Sequence, residues 1–479
     1  MKWLFLVNDA AFLFEFLGKV AHQFTKEGDE CLVAANSKIA EDMRARFFPK
    51  EARVLSKVDW SIENYNSRKK EFGDLSWREL YTVYERFNFY QYDYDTCLHI
   101  IGQTYQFFDH IFKQEKPDVV IGEPPAGLFG LIAYYFCQKY HVTFCGIAES
   151  RFPGRIDIYD KEWGYSKYQE NFQTIKKEDF SPEEIAFAKD YIKKFISHET
   201  VYSSYYLTKV RFNPAEFVGH YIKRLVETGG IFWKYFLHKN TFKNFDHEGR
   251  AVFNRSMKAP LITIKKNLKI RFQEGIFDAF EAQQEYFFFP VQYDPEASTL
   301  VLATYYSNQL ATIKYVAATL PLPYKLYVKE HPGSIGSRAH AFYEAIKKIP
   351  NAVLLSSKEP TQNLILGSAG VITMTSTVGM EAALQGKPVY VLGNVFYSYH
   401  PSCQKVVNFE DLKQKIKEDL EKRQVMPDLE EINLRFIIAY LRTSMVANIF
   451  DAGNTEDKND YKLIASKIKQ WVAEQEIQI

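Results

Sequence analysis

The sequence predicts an α/β protein of two Rossmann-like, doubly wound domains, with a helical insert in or after the first. Three observations carry this: the chain length, a β-α-β opening, and a longer alternation of apolar runs and helix-period segments after Tyr286. At 479 residues and 46% hydrophobic content, the chain is too long for one ordinary core, and two domains of about 150 to 250 residues are expected. Lys2 to Asn8 is a short apolar run. Phe12, Phe16, Val20 and Phe24 follow at helical spacing as far as Gly28, and Cys31 to Ala35 is a second apolar run. After an aromatic, charged helical region from about 75 to 115, the pattern returns as strand Asp118 to Ile121, helix Leu128 to Tyr140 and strand Thr143 to Ile147. Residues 1–160 therefore read as a parallel sheet with crossover helices.

Residues 161–283 break this rhythm and read as a helical, basic and aromatic insert. Between Lys209 and Arg271 there are 14 basic residues and 4 acidic ones. This is either the solvated face of a helical subdomain or a surface for anionic lipid or a charged glycan. The second reading rests on alternating basic and aromatic residues, as in Lys223, Arg224, Trp233, Lys234, Tyr235 and Phe236.

Strand Tyr286 to Val291 then opens the second domain, residues 284–425. A loop and a long helix ending near Leu320 follow, then strand Lys325 to Lys329, helix Ala339 to Lys348, strand Ala352 to Leu355 and a short helix from Thr361. Strand Gly370 to Met374, helix Val378 to Leu384 and strand Pro388 to Leu392 complete the alternation. Helices finish the chain over 426–479, with the N-terminal domain as the surface they would pack against.

Composition narrows the function classes. Sixty Lys+Arg against 59 Asp+Glu give a formal net charge of +1, so no nucleic-acid partner is expected. The five cysteines, Cys31, Cys97, Cys137, Cys145 and Cys403, are scattered and form no CxxC pair, which suggests neither a disulfide framework nor a zinc site. The apolar run at Trp3 to Val7 is broken at once by Asn8 and Asp9, unlike a signal peptide. A cytoplasmic protein is expected, with membrane contact limited to its surface.

Ligands of open α/β sheets bind beyond the carboxyl ends of the strands, so the residues that follow each strand are the candidates. Lys329-Glu330-His331-Pro332 puts an ammonium and an imidazole at one strand end. His331 there can donate to a phosphate or stabilise a nucleotide leaving group, or simply cap an X-Pro turn. Thr375-Ser376-Thr377 opens a helix, where hydroxyls and free N–H groups form an anion site, or serve only as N-caps. Glu381, one turn further on, can accept from ribose hydroxyls. Gln292 and Ser298, in the segment after the first strand of this domain, are further candidate contacts to phosphate or sugar.

The segments FPVQYDPEAS, VKEHP and TSTVGMEAALQGKPV, in that order and spacing, resemble the capsule polysaccharide biosynthesis family. That family includes β-Kdo transferases and is similar to sialyltransferases that hold CMP with an HP motif and a Ser/Thr motif. The resemblance runs from Phe289 to Leu392. It implies a GT-B fold, with two domains facing across a cleft, and transfer of Kdo or a related acidic sugar from a CMP-linked donor to a glycan or glycolipid acceptor. It also implies nucleotide contacts at Gln292, His331, Pro332, Ser376, Thr377 and Glu381, and catalysis without metal or other cofactor. In such enzymes the N-terminal domain supplies the catalytic carboxylate. The acids at its strand ends are Asp9, Glu123 and Glu149, with Glu123 and Glu149 leading, and Arg151 and Arg155 are candidates for holding a sugar carboxylate. A UDP- or GDP-sugar, a CDP-polyol phosphate, or a non-catalytic glycan-binding role are the alternatives.

Overall fold

The computed structural model describes residues 1–8, 13–78, 92–160, 166–198, 233, 236–237, 244–422, 426–453 and 457–476. The chain divides into two compact units. Unit 1 comprises Met1–Gly164, Arg211–Ala259 and Ser444–Ile479, and unit 2 comprises Tyr165–Val210 and Pro260–Thr443. Each is a Rossmann-like α/β unit.

In unit 1, β1 (Lys2–Val7), β2 (Glu30–Ala35), β3 (Arg53–Ser56) and β4 (Val119–Gly122) are joined by β5 (Thr143–Glu149), β6 (Arg155–Tyr159) and a C-terminal strand, Met445–Val446. The order across the sheet is Met445–Val446, β6, β5, β4, β1, β2, β3. The strands from β3 to β5 are parallel, whereas β6 and the C-terminal strand run antiparallel to their neighbours. β1 reads as an unbroken apolar run because the central strand is covered on both faces. Trp3, Phe5 and Val7 join one core cluster with Phe16, Val20 and Phe24, while Leu4 and Leu6 join another with Phe108, Phe112 and Ile132. Helix Tyr461–Glu476 adds Ile464, Ile468 and Val472 to the first cluster.

Unit 2 holds a second sheet of β7 (Tyr286–Pro290), β8 (Lys325–Lys329), β9 (Ala352–Leu355), β10 (Gly370–Thr373), β11 (Val389–Val391) and β12 (Cys403–Lys405). All pairings are parallel, in the order β12, β11, β10, β7, β8, β9. The chain runs outward from β7 to β9 and then crosses back to β10. The topological switch point therefore lies between β7 and β10, the place where doubly wound sheets open a crevice.

The helix expected to end near Leu320, after a loop, ends at Thr319. Helix Ala297–Leu300 and a 3-10 turn, Thr304–Tyr306, precede helix Gln309–Thr319. Asn308 starts that last helix by accepting from Ala311 N at 3.2 Å, an N-cap that opens a new helix. Helices Ser166–Thr174 and Pro182–Ile196 pack on Leu429–Thr443. Among the described residues no helix is long and apolar enough to cross a membrane.

Candidate active site

At the switch point of unit 2 the loops after β7 and β10 meet. Thr375 Oγ1 lies 3.4 Å from Gln292 Oε1 and donates to Ser298 O at 2.9 Å. Three candidates from two distant segments are thereby brought together. The Gln292 backbone is held on both sides by Gln309, whose Oε1 accepts from Gln292 N at 2.8 Å and whose Nε2 donates to Gln292 O at 3.2 Å. The Gln292 side-chain amide is buried, and its Nε2 has no hydrogen-bond partner among the described residues. A buried N–H without an acceptor is costly, so this donor suits a ligand or water at the switch point.

Ser376 is the N-cap of helix Thr377–Leu384, its Oγ accepting from Val378 N at 3.3 Å. Its amide is spent on Thr373 Oγ1, at 3.0 Å. Thr377 is the first residue of the helix, so its surroundings carry the positive end of the helix dipole. One turn on, buried Glu381 lies with Oε2 3.2 Å from Nε2 of His198, which ends the helix Pro182–Ile196 segment in a left-handed conformation. This contact raises the His198 pKa.

β8 delivers the basic edge. Lys329 is buried, its Nζ donating to Thr361 Oγ1, and desolvation lowers its pKa against the pull of Glu381 and Glu359. His331 caps the 3-10 turn Pro332–Ser334, and its Nδ1 accepts from Gly333 N at 3.0 Å. Burial, helped by Arg338 and Lys329, pulls its pKa down to about 4. The ring is therefore neutral near pH 7, and with Nδ1 accepting, its one proton sits on Nε2, a donor with no partner among the described residues. Pro332 is exposed and fixes the exit of the turn.

A second His-Pro pair, His400-Pro401, folds in the same way. His400 Nδ1 accepts from Ser402 N at 3.1 Å, and burial likewise brings its pKa to about 4. Its Nε2, however, is consumed by Asn433 Oδ1 at 3.0 Å. The two turns share local geometry and differ in whether the outer nitrogen is left to a ligand.

The sequence reading missed Glu330 and Arg338. Glu330 is fully buried, and its carboxylate accepts from His331 N at 2.5 Å and pairs with Arg338 at 3.0 Å. Arg338 also donates to Gln292 O. Arg338 is the one arginine between Pro290 and His400, a signal that was there to be read.

In unit 1, Glu123 follows β4 and accepts from Asn8 Nδ2, after β1, at 3.3 Å. β1 and β4 flank the switch point of this sheet. Glu149 ends β5, the strand beside β4, and Arg151 lies in the turn between β5 and β6. Arg155 begins β6, and its guanidinium is engaged with Ser444, at 2.6 Å to Oγ and 2.7 Å to O. Asp9 lies outside the described residues. Among the described residues, no cluster of three His, Cys, Asp or Glu is arranged to hold a metal ion.

The second of the two Rossmann-like units thus carries a strand-end site of amide, hydroxyl, imidazole and ammonium groups suited to an anionic ligand. The family model described as Capsule polysaccharide biosynthesis protein matches residues 148–401, more than half of the chain, and the chain belongs to that family. No curated protein matches it. Similar solved structures include the KpsC β-Kdo 2,7 transferase and β-Kdo 2,4 transferase of Thermosulfurimonas dismutans, at 11% and 12% identity with TM-scores of 0.36 and 0.35. They cover 76% and 68% of this chain and 89% and 80% of their own. The UDP-GlcNAc 2-epimerase from Methanocaldococcus jannaschii is 13% identical with a TM-score of 0.24, covering 98% of this chain and all of its own.

Proposed function

We propose that the protein transfers Kdo or a related acidic sugar from a CMP-linked donor to a glycan or glycolipid acceptor of a bacterial surface polysaccharide, at the inner face of the cytoplasmic membrane. The observation that carries this is the meeting of Gln292 with Thr375 at the switch point of unit 2, beside His331, whose Nε2–H has no partner among the described residues. In this reading Gln292, Lys329, Pro332, Thr375, Ser376 and Thr377 line the nucleotide site, and Glu381 accepts from the ribose hydroxyls. As the glycosidic bond to CMP breaks, negative charge grows on the phosphate, and His331 donates to it without changing protonation state. Glu123, with Glu149 on the next strand, either takes the proton of the acceptor hydroxyl or attacks the anomeric carbon, according to whether configuration is inverted or retained. Arg151 and Arg155 are the candidates for the sugar carboxylate.

The test is thermal stabilisation by CMP, CDP, UDP and GDP. A ligand at about 100 times its Kd adds about 2.7 kcal/mol to the native state. A selective rise with CMP is expected. A rise only with a diphosphate nucleotide would replace the donor with a UDP- or GDP-sugar or a CDP-polyol phosphate, and no rise with any would remove the nucleotide site.

A further inference from the structure

Helix His247–Gln273 has two faces of opposite character over its unit 2 part, residues 260–273. The inward face docks on the loop that follows β8. Lys266 Nζ donates to Gly333 O at 3.2 Å, and Gln273 Nε2 donates to Arg338 O at 3.2 Å. A side chain at Gly336, where φ is +72°, would strike Lys266 O at 2.5 Å and Ile270 Cγ1 at 2.7 Å, so the backbones touch there.

The outward face is apolar where a soluble helix would be polar. Leu261, Ile264, Leu268 and Phe272 recur at steps of three and four, which stacks them in one stripe along the helix. They are between 49% and 82% exposed. Contiguous apolar surface of this kind marks an interaction site. The exposed Lys265 and Lys269 flank the stripe on one side. Between Glu248 and Glu274 the sequence has seven Lys or Arg and no Asp or Glu. An exposed apolar stripe bordered by lysines and free of acids fits the boundary of an anionic bilayer, with aliphatic and aromatic side chains below the headgroups and ammonium groups among them. A protein interface, by contrast, depletes lysine.

We propose that residues 260–273 form a membrane-docking helix that seats unit 2 on an anionic lipid surface through Leu261, Ile264, Leu268, Phe272, Lys265 and Lys269. Because the opposite face of the helix holds Gly333 and Arg338, the seat lies directly behind the turn that carries His331. This deepens the proposed function by naming the surface on which a lipid-linked acceptor is met, and its test requires no donor and no turnover.

The full chain is floated with vesicles of phosphatidylcholine mixed with phosphatidylglycerol, and with vesicles of phosphatidylcholine alone. Binding is expected to the mixed vesicles, weakening as salt rises. It should fall by at least about tenfold in Lys265→Glu/Lys269→Glu and be lost in Leu261→Ser/Ile264→Ser/Leu268→Ser/Phe272→Ser. Leu322→Ser, at a 96% exposed leucine elsewhere in unit 2, should bind as the parent does. CMP-induced thermal stabilisation, compared across parent and variants, reports a folded unit 2 and tests the nucleotide reading separately. No vesicle binding by the parent, equal binding to phosphatidylcholine alone, or undiminished binding by the four-serine variant would each overturn the proposal. So would a parent dimer that the four-serine variant dissociates without any vesicle binding, which would assign the stripe to a second copy.

Discussion

Arg338 pairs with Glu330 at 3.0 Å and donates from the same guanidinium to Gln292 O. One buried cation thus ties the loop after β8 to the loop after β7. Removing one partner of a buried pair leaves the other uncompensated. Arg338→Met should therefore cost about 3 to 5 kcal/mol in urea denaturation. An unchanged midpoint would mean the pair does not organise these loops.

The two His-Pro turns make opposite forecasts from the same substitution. His331→Ala should lower donor turnover by about 100-fold or more while lowering the melting temperature less than His400→Ala does, since it gives up the Gly333 N bond but its outer nitrogen has no partner among the described residues. His400→Ala should lower the melting temperature, because it orphans Asn433 Oδ1 and Ser402 N in a buried place, yet leave turnover per folded molecule near that of the parent. Turnover and melting curves on both variants check the contrast, which fails if the two behave alike.

Acid should destabilise the protein earlier than its carboxylates require. His331 and His400 both have folded pKa values of about 4, below the value of about 6.5 in an unfolded chain. Between those values the unfolded state binds more protons. Stability is thus full above about pH 6.5 and declines as pH falls toward about 4. Urea midpoints across that range measure the slope, and His400→Gln should reduce it while His331 keeps its share. A parent profile flat from pH 7 to about 4 would contradict the burial of both rings.

Glu123 and Asn8 can be separated by their chemistry. Glu123→Gln keeps the shape and removes the carboxylate, so turnover should fall by about 100-fold or more if this group moves the proton or attacks the sugar. Asn8→Ala removes the hydrogen bond to Glu123 while keeping the carboxylate and should have a smaller effect on turnover. Near-parental rates for Glu123→Gln would move the catalytic role to Glu149.

The ends of β7, β8 and β10 were readable because each of these strands is an apolar run that stops at a polar turn. Lys329, His331 and Thr375 could thus be placed without knowing what they touch. The order of the strands was not readable, since it is set by crossovers, and it is this order that brings Gln292 to Thr375. His198 was hidden for a related reason: it reaches Glu381 from a helix whose own sequence has no chemical motif. β6 went unseen because Arg155 and Asp157 interrupt its apolar pattern, and β3 because it is an exposed edge strand with only Val54 and Leu55 apolar. Arg155 consequently read only as a ligand-binding arginine, although its guanidinium also bonds Ser444 beside the C-terminal strand.

That last strand also bears on how the chain is made. Met445–Val446 pairs with β6, and helix Tyr461–Glu476 packs on helix Phe14–Lys26, so the first unit to begin synthesis lacks its closing pieces until unit 2 has been made. All of unit 2 has been synthesised by Thr443, ahead of the strand and helix that complete unit 1. The later-starting unit can therefore fold first, while the earlier one waits with Phe16, Leu17 and their neighbours uncovered. Nascent chains cut short after Thr443 would expose this surface to chaperones and proteases.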